Sequence, residues 1–390
     1  MKKYLLFVFT MLCTSSLFTA CDDDEKTEPE VPVLLKGETT FSGEKLLLTY
    51  GGMVMPGKEI TFATTDGKTG TLTMKGALDF SSLIASKADS PLAIGVSGVI
   101  PGEVSTVITD IVLTQEDDKY VFEGTDTNGR REITYSGVAD ETVLDLDLKV
   151  VFPDNELNGT WETGIFDRAN MRWRAFHTVW EAGELIEWNS RKMTLNDVLQ
   201  LALFYPLIGE NSVGEIFILG ALKDVTFRKD GNISATYSKV VDINNPQWTT
   251  SPLNIAQYTV EENTVRLFLN VDMILTNIRT KARIANLPAE VLEGILTEIV
   301  PMLSEGFPLK YKSNPEYLIV YADTELVLKL AKVLLPLLLD ENMINIIMAS
   351  IEKDPAMAAF RPIVENVLKS LPAVIASTNN VELGLYLSKE

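Results

Sequence analysis

Histidine and cysteine are nearly absent from this chain, which has one histidine, His177, and two cysteines, Cys13 and Cys21, in 390 residues. A single histidine excludes multi-histidine zinc and iron sites, and two cysteines are too few for a four-thiolate zinc site. Glycine-rich phosphate loops are missing too, because no Gly-x-Gly-x-x-Gly and no complete Walker loop occur. We therefore expect no cofactor, no metal site and no catalytic motif.

Basic residues are scarce relative to acidic ones. The chain has 34 Lys and Arg against 54 Asp and Glu, which gives a formal net charge of -20 at pH 7. Such a field repels phosphate backbones and anionic lipid head groups. We therefore expect no nucleic-acid partner, and any attachment to a membrane must come from something other than surface charge.

Long apolar runs are also absent, because none reaches the roughly 20 residues that a membrane-spanning helix needs. The run from Tyr4 to Leu12 follows two lysines and precedes the sequence Leu-Phe-Thr-Ala before Cys21. This pattern is typical of a bacterial lipoprotein signal peptide. We predict removal of residues 1–20 and attachment of a diacylglycerol to the thiol of Cys21; the alternative is an ordinary secretory peptide cut nearby.

Residues 21–36 form an acidic, proline-containing linker, with three aspartates directly after Cys21 and with Pro29 and Pro32. Few apolar groups and stiffening prolines are typical of a solvated stalk. The acidic patch resembles the export signal of surface lipoproteins in Bacteroidetes, which implies a location on the outer face of the outer membrane. The alternative is a spacer that keeps the domain clear of the membrane.

The first domain is predicted over residues 37–156, where apolar residues recur with a period of two. Leu144, Leu146 and Leu148 would lie on one strand face, and Asp145 and Asp147 on the other. Several such strands, separated by Asn-Gly and Asp-Gly turns, predict an antiparallel β barrel or sandwich.

The second domain is predicted over residues 157–390 as an α+β domain with an antiparallel sheet and apolar C-terminal helices. Thr194 and Asp197 form a capping box for one helix, and Asp323 can cap another that is apolar nearly all round. Such helices must be buried, either as a solid layer on the sheet or around a lipid-sized cavity. The predicted fold class is therefore α+β, in two domains.

Four of the five tryptophans fall in the first part of this second domain, interleaved with arginines. Aromatic faces beside arginine can stack on sugar rings or hold an anionic or aromatic ligand. The other interpretation is that these tryptophans belong to a core and that arginine stems cover apolar surface. The candidate ligand-binding residues are Trp161, Trp173, Trp180, Trp188, Arg172 and Arg174.

Four segments together resemble a family of two-domain surface lipoproteins of Bacteroidetes that carries a domain of unknown function. They are the run from Tyr50 to Lys58, the strand from Tyr120 to Thr125, the linker from Leu157 to Trp161 and the ending from Leu383 to Leu387. The resemblance implies a location and a general build, and it supplies no catalytic residues.

The sequence thus predicts an outer-membrane-anchored, surface-exposed lipoprotein. It would act as a non-enzymatic binding module for an apolar or sugar-like ligand. One alternative is an envelope hydrolase that uses His177 or a pair of carboxylates, although no Gly-x-Ser-x-Gly elbow accompanies that histidine. A second alternative is a structural or adhesive envelope subunit that acts through protein contacts.

Overall fold

The computed structural model describes residues 34–35, 37–77, 96–168, 172–188, 190–208, 211–274, 299, 301–353, 358 and 360–389. The predicted signal peptide, the lipidation site Cys21 and nearly all of the linker lie outside these ranges. Within them, strands dominate and form two bodies, a sandwich over residues 37–151 and a barrel over residues 159–389.

The sandwich consists of a four-stranded sheet in the order β1-β4-β5-β6 and a six-stranded sheet in the order β3-β2-β10-β9-β8-β7. All pairs are antiparallel except β2 with β10, which run parallel from the pair Leu46 and Leu144 onward. The strands β1 to β10 are Gly37–Ser42, Leu46–Tyr50, Met53–Val54, Lys58–Thr64, Thr69–Gly76, Ser105–Val112, Thr114–Glu116, Lys119–Thr127, Glu132–Ala139 and Leu144–Val151.

One apolar core lies between the two sheets of the sandwich. It follows from the period-two pattern, because every second residue of each strand turns inward. In β10, Leu144, Leu146 and Leu148 are fully buried, and the rings of Tyr120 and Phe122 stack on Phe62 of the other sheet at 6.2 and 5.8 Å between centroids.

The strands of the C-terminal region form an eight-stranded antiparallel barrel in the order β11-β19-β20-β22-β23-β24-β25-β26, and β26 pairs with β11 to close it. The strand β14 pairs with the other half of β26 and so extends the sheet beyond the barrel. The strands β11 to β26 are Gly159–Thr163, Ile165–Asp167, Arg172–Arg174, Phe176–Glu181, Ile186–Trp188, Arg191–Met193, Pro206–Ile208, Asn211–Ser212, Leu222–Phe227, Asn232–Ser238, Trp248–Thr250, Ala256–Glu261, Thr264–Leu269, Phe307–Ser313, Tyr317–Ala322 and Asn380–Lys389.

Side chains fill the barrel interior. An eight-stranded barrel leaves an interior just wide enough for side chains to occupy. The ring of Phe227 meets that of Tyr258 edge to face at 5.1 Å. The buried members of this core are Leu157, Trp161, Phe227, Tyr258, Val265, Tyr311, Leu318 and Leu387.

The helices lie in the long connections between barrel strands. Both α1, Leu195–Phe204, and α2, Val213–Gly220, begin with a complete capping box and follow β14 in the chain. The helices α3, Thr324–Leu338, α4, Glu341–Lys353, and α5, Arg361–Ala376, all fall between β25 and β26. The described chain therefore continues after these helices into the strand that closes the barrel.

The predicted α+β fold class is wrong. The protein is mostly β, and the C-terminal region is an antiparallel barrel rather than an α+β domain that ends in apolar helices. The reason is physical: the apolar helices of residues 324–376 give a strong local periodicity, whereas the barrel depends on the pairing of β11 with β26, more than 200 residues apart. Pairings at that separation leave no local signal.

Asparagine side chains join the sandwich to the barrel. The Nδ2 of Asn254, which precedes β22, donates to the carbonyls of Tyr50 at 3.1 Å and Met53 at 2.9 Å. The Nδ2 of Asn270, which follows β23, donates to the carbonyl of Pro56 at 3.1 Å. These hydrogen bonds tie the backbone of the sandwich to loops of the barrel.

Candidate functional site

The four tryptophans of the predicted cluster do not converge. Trp161 is 3% exposed in the barrel interior, where its Nε1 donates to the carbonyl of Leu157 at 2.8 Å. Trp180 lies on β14, and its Nε1 donates to Oγ1 of Thr378 at 2.9 Å. Trp188 is half-buried on β15, which packs against α5. These three tryptophans are therefore packed against other parts of the protein.

Trp173 differs from the other three because its ring is exposed. It lies on the hairpin of β12 and β13, where it pairs across the strands with Phe166. The two rings meet edge to face at 5.5 Å and are 42% and 43% exposed. Arg172, the other candidate on β13, pairs with Asp167 in the backbone register. The hairpin therefore presents two large aromatic rings to solvent.

Arg174 connects this hairpin to the barrel. Its Nη1 lies 3.4 Å from Oδ2 of Asp167, and its guanidinium lies over two rings, 5.2 Å from that of Phe204 and 5.6 Å from that of Tyr386. Arginine stacks on aromatic faces because its planar cation is attracted by their negative quadrupole. Phe204 ends α1 and Tyr386 lies on β26, so this one side chain fixes the hairpin against both elements.

His177 lies beyond Tyr386 on the same outer face of the barrel. Its Nδ1 lies 3.2 Å from the hydroxyl of Tyr386, and its Nε2 lies 2.6 Å from Oε2 of Glu382. The Nζ of Lys312 donates to both carboxylate oxygens of Glu382, at 2.8 and 2.7 Å, and lies 4.8 Å from the ring of Tyr321. The strands β26, β24 and β14 thus bring one carboxylate, one ammonium and one imidazole together.

A glycine makes this convergence possible. Gly384 on β26 lies opposite both His177 of β14 and Tyr321 of β25, and the two rings meet above it at 5.6 Å. A Cβ at this glycine would lie 2.0 Å from the carbonyl oxygen of Val320. A side chain here would therefore displace the backbone of β25, and the rings of His177 and Tyr321 could not approach each other.

The ionisation of the cluster follows from these contacts. Burial alone would raise the pKa of the Glu382 carboxyl, but the hydrogen bonds from Lys312 and His177 hold that pKa below its ordinary value. The same bond to Glu382 raises the pKa of Lys312, and burial raises the pKa of Tyr386. At neutral pH the cluster therefore holds a carboxylate, an ammonium and neutral tyrosine hydroxyls.

We call this set the outer aromatic surface. It has two parts, the exposed rings of Phe166 and Trp173 and a linked group that runs from Arg174 across the outer face of β26 and β25 to β24. Trp173 and Arg174 are consecutive on β13, so their side chains project to opposite faces of the hairpin. The members of the outer aromatic surface are Phe166, Trp173, Arg174, His177, Lys312, Tyr317, Tyr321, Glu382 and Tyr386. It combines stacking rings with fixed hydrogen-bond donors and acceptors.

Sequence reasoning singled out Trp173, Arg174 and His177 but missed the residues of β24 to β26. A usable signal was present in two short segments. Tyr317 and Tyr321 fall on one face of β25, and Glu382, Gly384 and Tyr386 on one face of β26, at a spacing of two or four residues. This spacing places the residues of each strand on one face of the sheet, opposite the aliphatic residues of the barrel interior.

The geometry at His177 does not match a nucleophilic triad. Both ring nitrogens already have partners, the carboxylate of Glu382 and the hydroxyl of Tyr386, and none of the contacts described for this ring involves a serine. A triad needs the nitrogen opposite the carboxylate to face the nucleophile. Within the described part of the chain, no group of three or more His, Cys, Asp or Glu side chains is arranged to hold a metal ion.

Comparisons of the chain with protein-family models, with curated proteins and with solved structures found no match. The resemblance to surface lipoproteins of Bacteroidetes therefore stays a prediction.

Proposed function

We propose that this protein is an envelope-anchored lipoprotein that binds glycans, without catalysis, through the outer aromatic surface. The observation that carries the proposal is the pair Phe166 and Trp173, whose rings are 43% and 42% exposed on a hairpin that Arg174 joins to the charged and phenolic groups of the barrel. Paired aromatic rings that are exposed to solvent are typical of binding sites.

A sugar ring fits the chemistry of this surface. The C–H face of a pyranose is apolar and carries slight positive charge, so it is attracted to the face of an indole or phenyl ring. The sugar hydroxyls both donate and accept hydrogen bonds, and the carboxylate of Glu382 beside the ammonium of Lys312 offers both functions. A purely apolar ligand would remove water from these charged groups without offering them any hydrogen bond, which makes the sugar-like ligand the better match.

The test is co-sedimentation of the full-length protein, kept in detergent, with a panel of insoluble and soluble polysaccharides. Trp173→Ala and Phe166→Ala should each weaken retention at least tenfold. Trp248→Ala is the matched control, because Trp248 is similarly exposed, at 37%, but lies on β21 and is not part of the outer aromatic surface. The proposal is wrong if the wild type binds no glycan, or if Trp248→Ala weakens binding as much as Trp173→Ala.

We propose Cys21 as the point of attachment to the membrane. Among the helices that the structure describes, none combines the length and the apolar character needed to cross a bilayer. Two or more acyl chains suffice for stable anchoring, since each buried methylene adds about 0.8 kcal/mol. Metabolic labelling with palmitate should mark the wild type and not Cys21→Ser, and an unchanged fractionation of Cys21→Ser would contradict the anchor.

The same variants distinguish glycan binding from the alternative role, that of a structural or adhesive envelope subunit. Surface fractions of cells that express the wild type should yield a glycan-dependent association that Trp173→Ala abolishes. Stable protein assemblies that persist in Trp173→Ala and without glycan would favour the subunit role instead.

A further inference from the structure

An open groove lies where the sandwich meets the barrel. It has a volume of about 540 Å³ and runs between the end of β10 and the β19–β20 hairpin. Binding sites for small molecules are of this size and often lie between domains. It does not include any residue of the outer aromatic surface.

The groove has an apolar wall and a polar rim. Val151 of β10, which is 53% exposed, supplies the apolar wall, while the nearby side chains of Val150 and Phe227 belong to the cores of the two bodies. The rim consists of Arg228, Lys229 and Asp230, which form the turn between β19 and β20. This combination matches a molecule with one apolar face and several hydroxyls at its edge.

The rim is held in place from both bodies. The hydroxyl of Tyr50 in the sandwich donates to the carbonyl of Asp230 at 2.6 Å, and the amide of Phe152 donates to the carbonyl of Lys229 at 2.9 Å. The hydroxyl of Tyr258 in the barrel donates to the carbonyl of Arg228 at 3.1 Å. Because all three carbonyls accept hydrogen bonds, the turn is already ordered and loses little conformational entropy when a ligand binds.

The charges of the rim are already balanced. The Nε of Arg228 lies 3.2 Å from Oδ2 of Asp230, and the Nζ of Lys229 lies 2.6 Å from Oδ1 of Asp154. Each cation therefore stands next to a carboxylate, so the rim offers donors beside acceptors without excess charge. An anionic ligand would meet two carboxylates on a chain of net charge -20, which disfavours it.

We infer that this groove is a second binding site, for a neutral saccharide that lies between Val151 and the β19–β20 turn. One hydroxyl of the sugar accepts a hydrogen bond from the guanidinium of Arg228, and an adjacent hydroxyl donates one to the carboxylate of Asp230. The site is separate from the outer aromatic surface, and it ties the ligand to both bodies at once.

The experiment is saturation-transfer NMR of the full-length protein with neutral hexoses, their disaccharides and the corresponding uronic acids as probes. Val151→Trp fills the groove, since Val151 lines it and is 53% exposed, and Val112→Trp, at a 70% exposed edge position, is its control. Arg228→Met removes the donor, and Arg130→Met, at an exposed arginine of the sandwich, is its control. Thermal unfolding of each variant verifies the fold.

A neutral sugar should bind the wild type, both controls and Trp173→Ala. Its affinity should fall at least tenfold in Val151→Trp and in Arg228→Met. The inference is overturned if no neutral sugar binds, if the uronic acids bind more tightly, or if binding survives Val151→Trp. Loss of binding in Trp173→Ala alone would also overturn it, while supporting the outer aromatic surface as the glycan site.

Discussion

The Nε2 atom of His177 lies 2.6 Å from Oε2 of Glu382, and this contact joins the extension strand β14 to the closing strand of the barrel. The two residues are diagonal neighbours, since His177 lies opposite Gly384 in the register. Diagonal neighbours on a sheet are within reach of long side chains. Because Glu382 also binds Lys312, one carboxylate organises the polar half of the outer aromatic surface.

Glu382→Gln should destabilise the protein by about 1–2 kcal/mol at pH 7, because it weakens charge-assisted hydrogen bonds from Lys312 and His177. The folded-state pKa of Glu382 lies below its ordinary value of 4.5. Its stabilisation is therefore complete above about pH 4.5 and is lost as the pH falls through the folded-state pKa.

Urea unfolding from pH 7 to pH 3 measures this effect for the wild type, Glu382→Gln and the exposed control Glu132→Gln. The difference between the wild type and Glu382→Gln should shrink toward acid pH, and the control should match the wild type. A difference that stays constant down to pH 3 contradicts the role given to this carboxylate.

Lys58 should make the protein more stable as the pH rises above neutrality. Burial lowers the pKa of this side chain from 10.5 to about 7, and its Nζ donates to the carbonyls of Ser97 and Gly98, both at 2.8 Å. Between these two pKa values the unfolded chain holds one proton more than the folded chain. The free energy of unfolding therefore rises with pH, by up to roughly 1.4 kcal/mol per pH unit.

Chemical denaturation at several pH values between 7 and 10 tests this slope. Lys58→Met should flatten it, whereas Lys149→Met, at an exposed lysine of β10, should keep it. Equal slopes in the wild type and in Lys58→Met would show that another group titrates in this interval.

Trp161→Ala and Trp173→Ala should separate stability from binding. Trp161 belongs to the barrel core, so its truncation should cost about 3–5 kcal/mol of unfolding free energy. Trp173 is exposed, and its truncation should cost less than about 1 kcal/mol. Equal losses in urea unfolding would mean that the hairpin ring is a core residue.

Asn254→Gly should weaken the contact between sandwich and barrel. The substitution removes the hydrogen bonds to Tyr50 and Met53, worth about 1–3 kcal/mol together, while glycine tolerates the φ of 65° at this position. Glu262→Gly, at an exposed residue with a φ of 53°, is the matched control and should not destabilise the protein. Calorimetry should show a lowered transition in Asn254→Gly only.

Features that depend on neighbouring residues could be predicted from the sequence, and those that depend on distant pairing could not. The capping box of Thr194 and Asp197 is confirmed, as is the hairpin whose Asn-Gly turn places Gly129 at a φ of 76°. Both use groups within a few residues of each other.

The barrel and the separation of the tryptophans escaped prediction for the same reason. Trp161 enters the barrel because β11 pairs with β19 and β26, while Trp173 stays outside on a short hairpin of its own. A cluster in the sequence suggested a cluster in space. Strand pairing instead distributed these residues between an interior, a helix-covered layer and an exposed surface.

Fluorine NMR of protein labelled with 5-fluorotryptophan tests the glycan-binding surface most directly, since each of the five tryptophans gives its own signal, assigned by Trp→Phe variants. Addition of the polysaccharide that the wild type retains should shift or broaden the signal of Trp173 and leave those of Trp161 and Trp180 unchanged. An unchanged Trp173 signal at saturating polysaccharide would contradict the assignment of glycan binding to this surface.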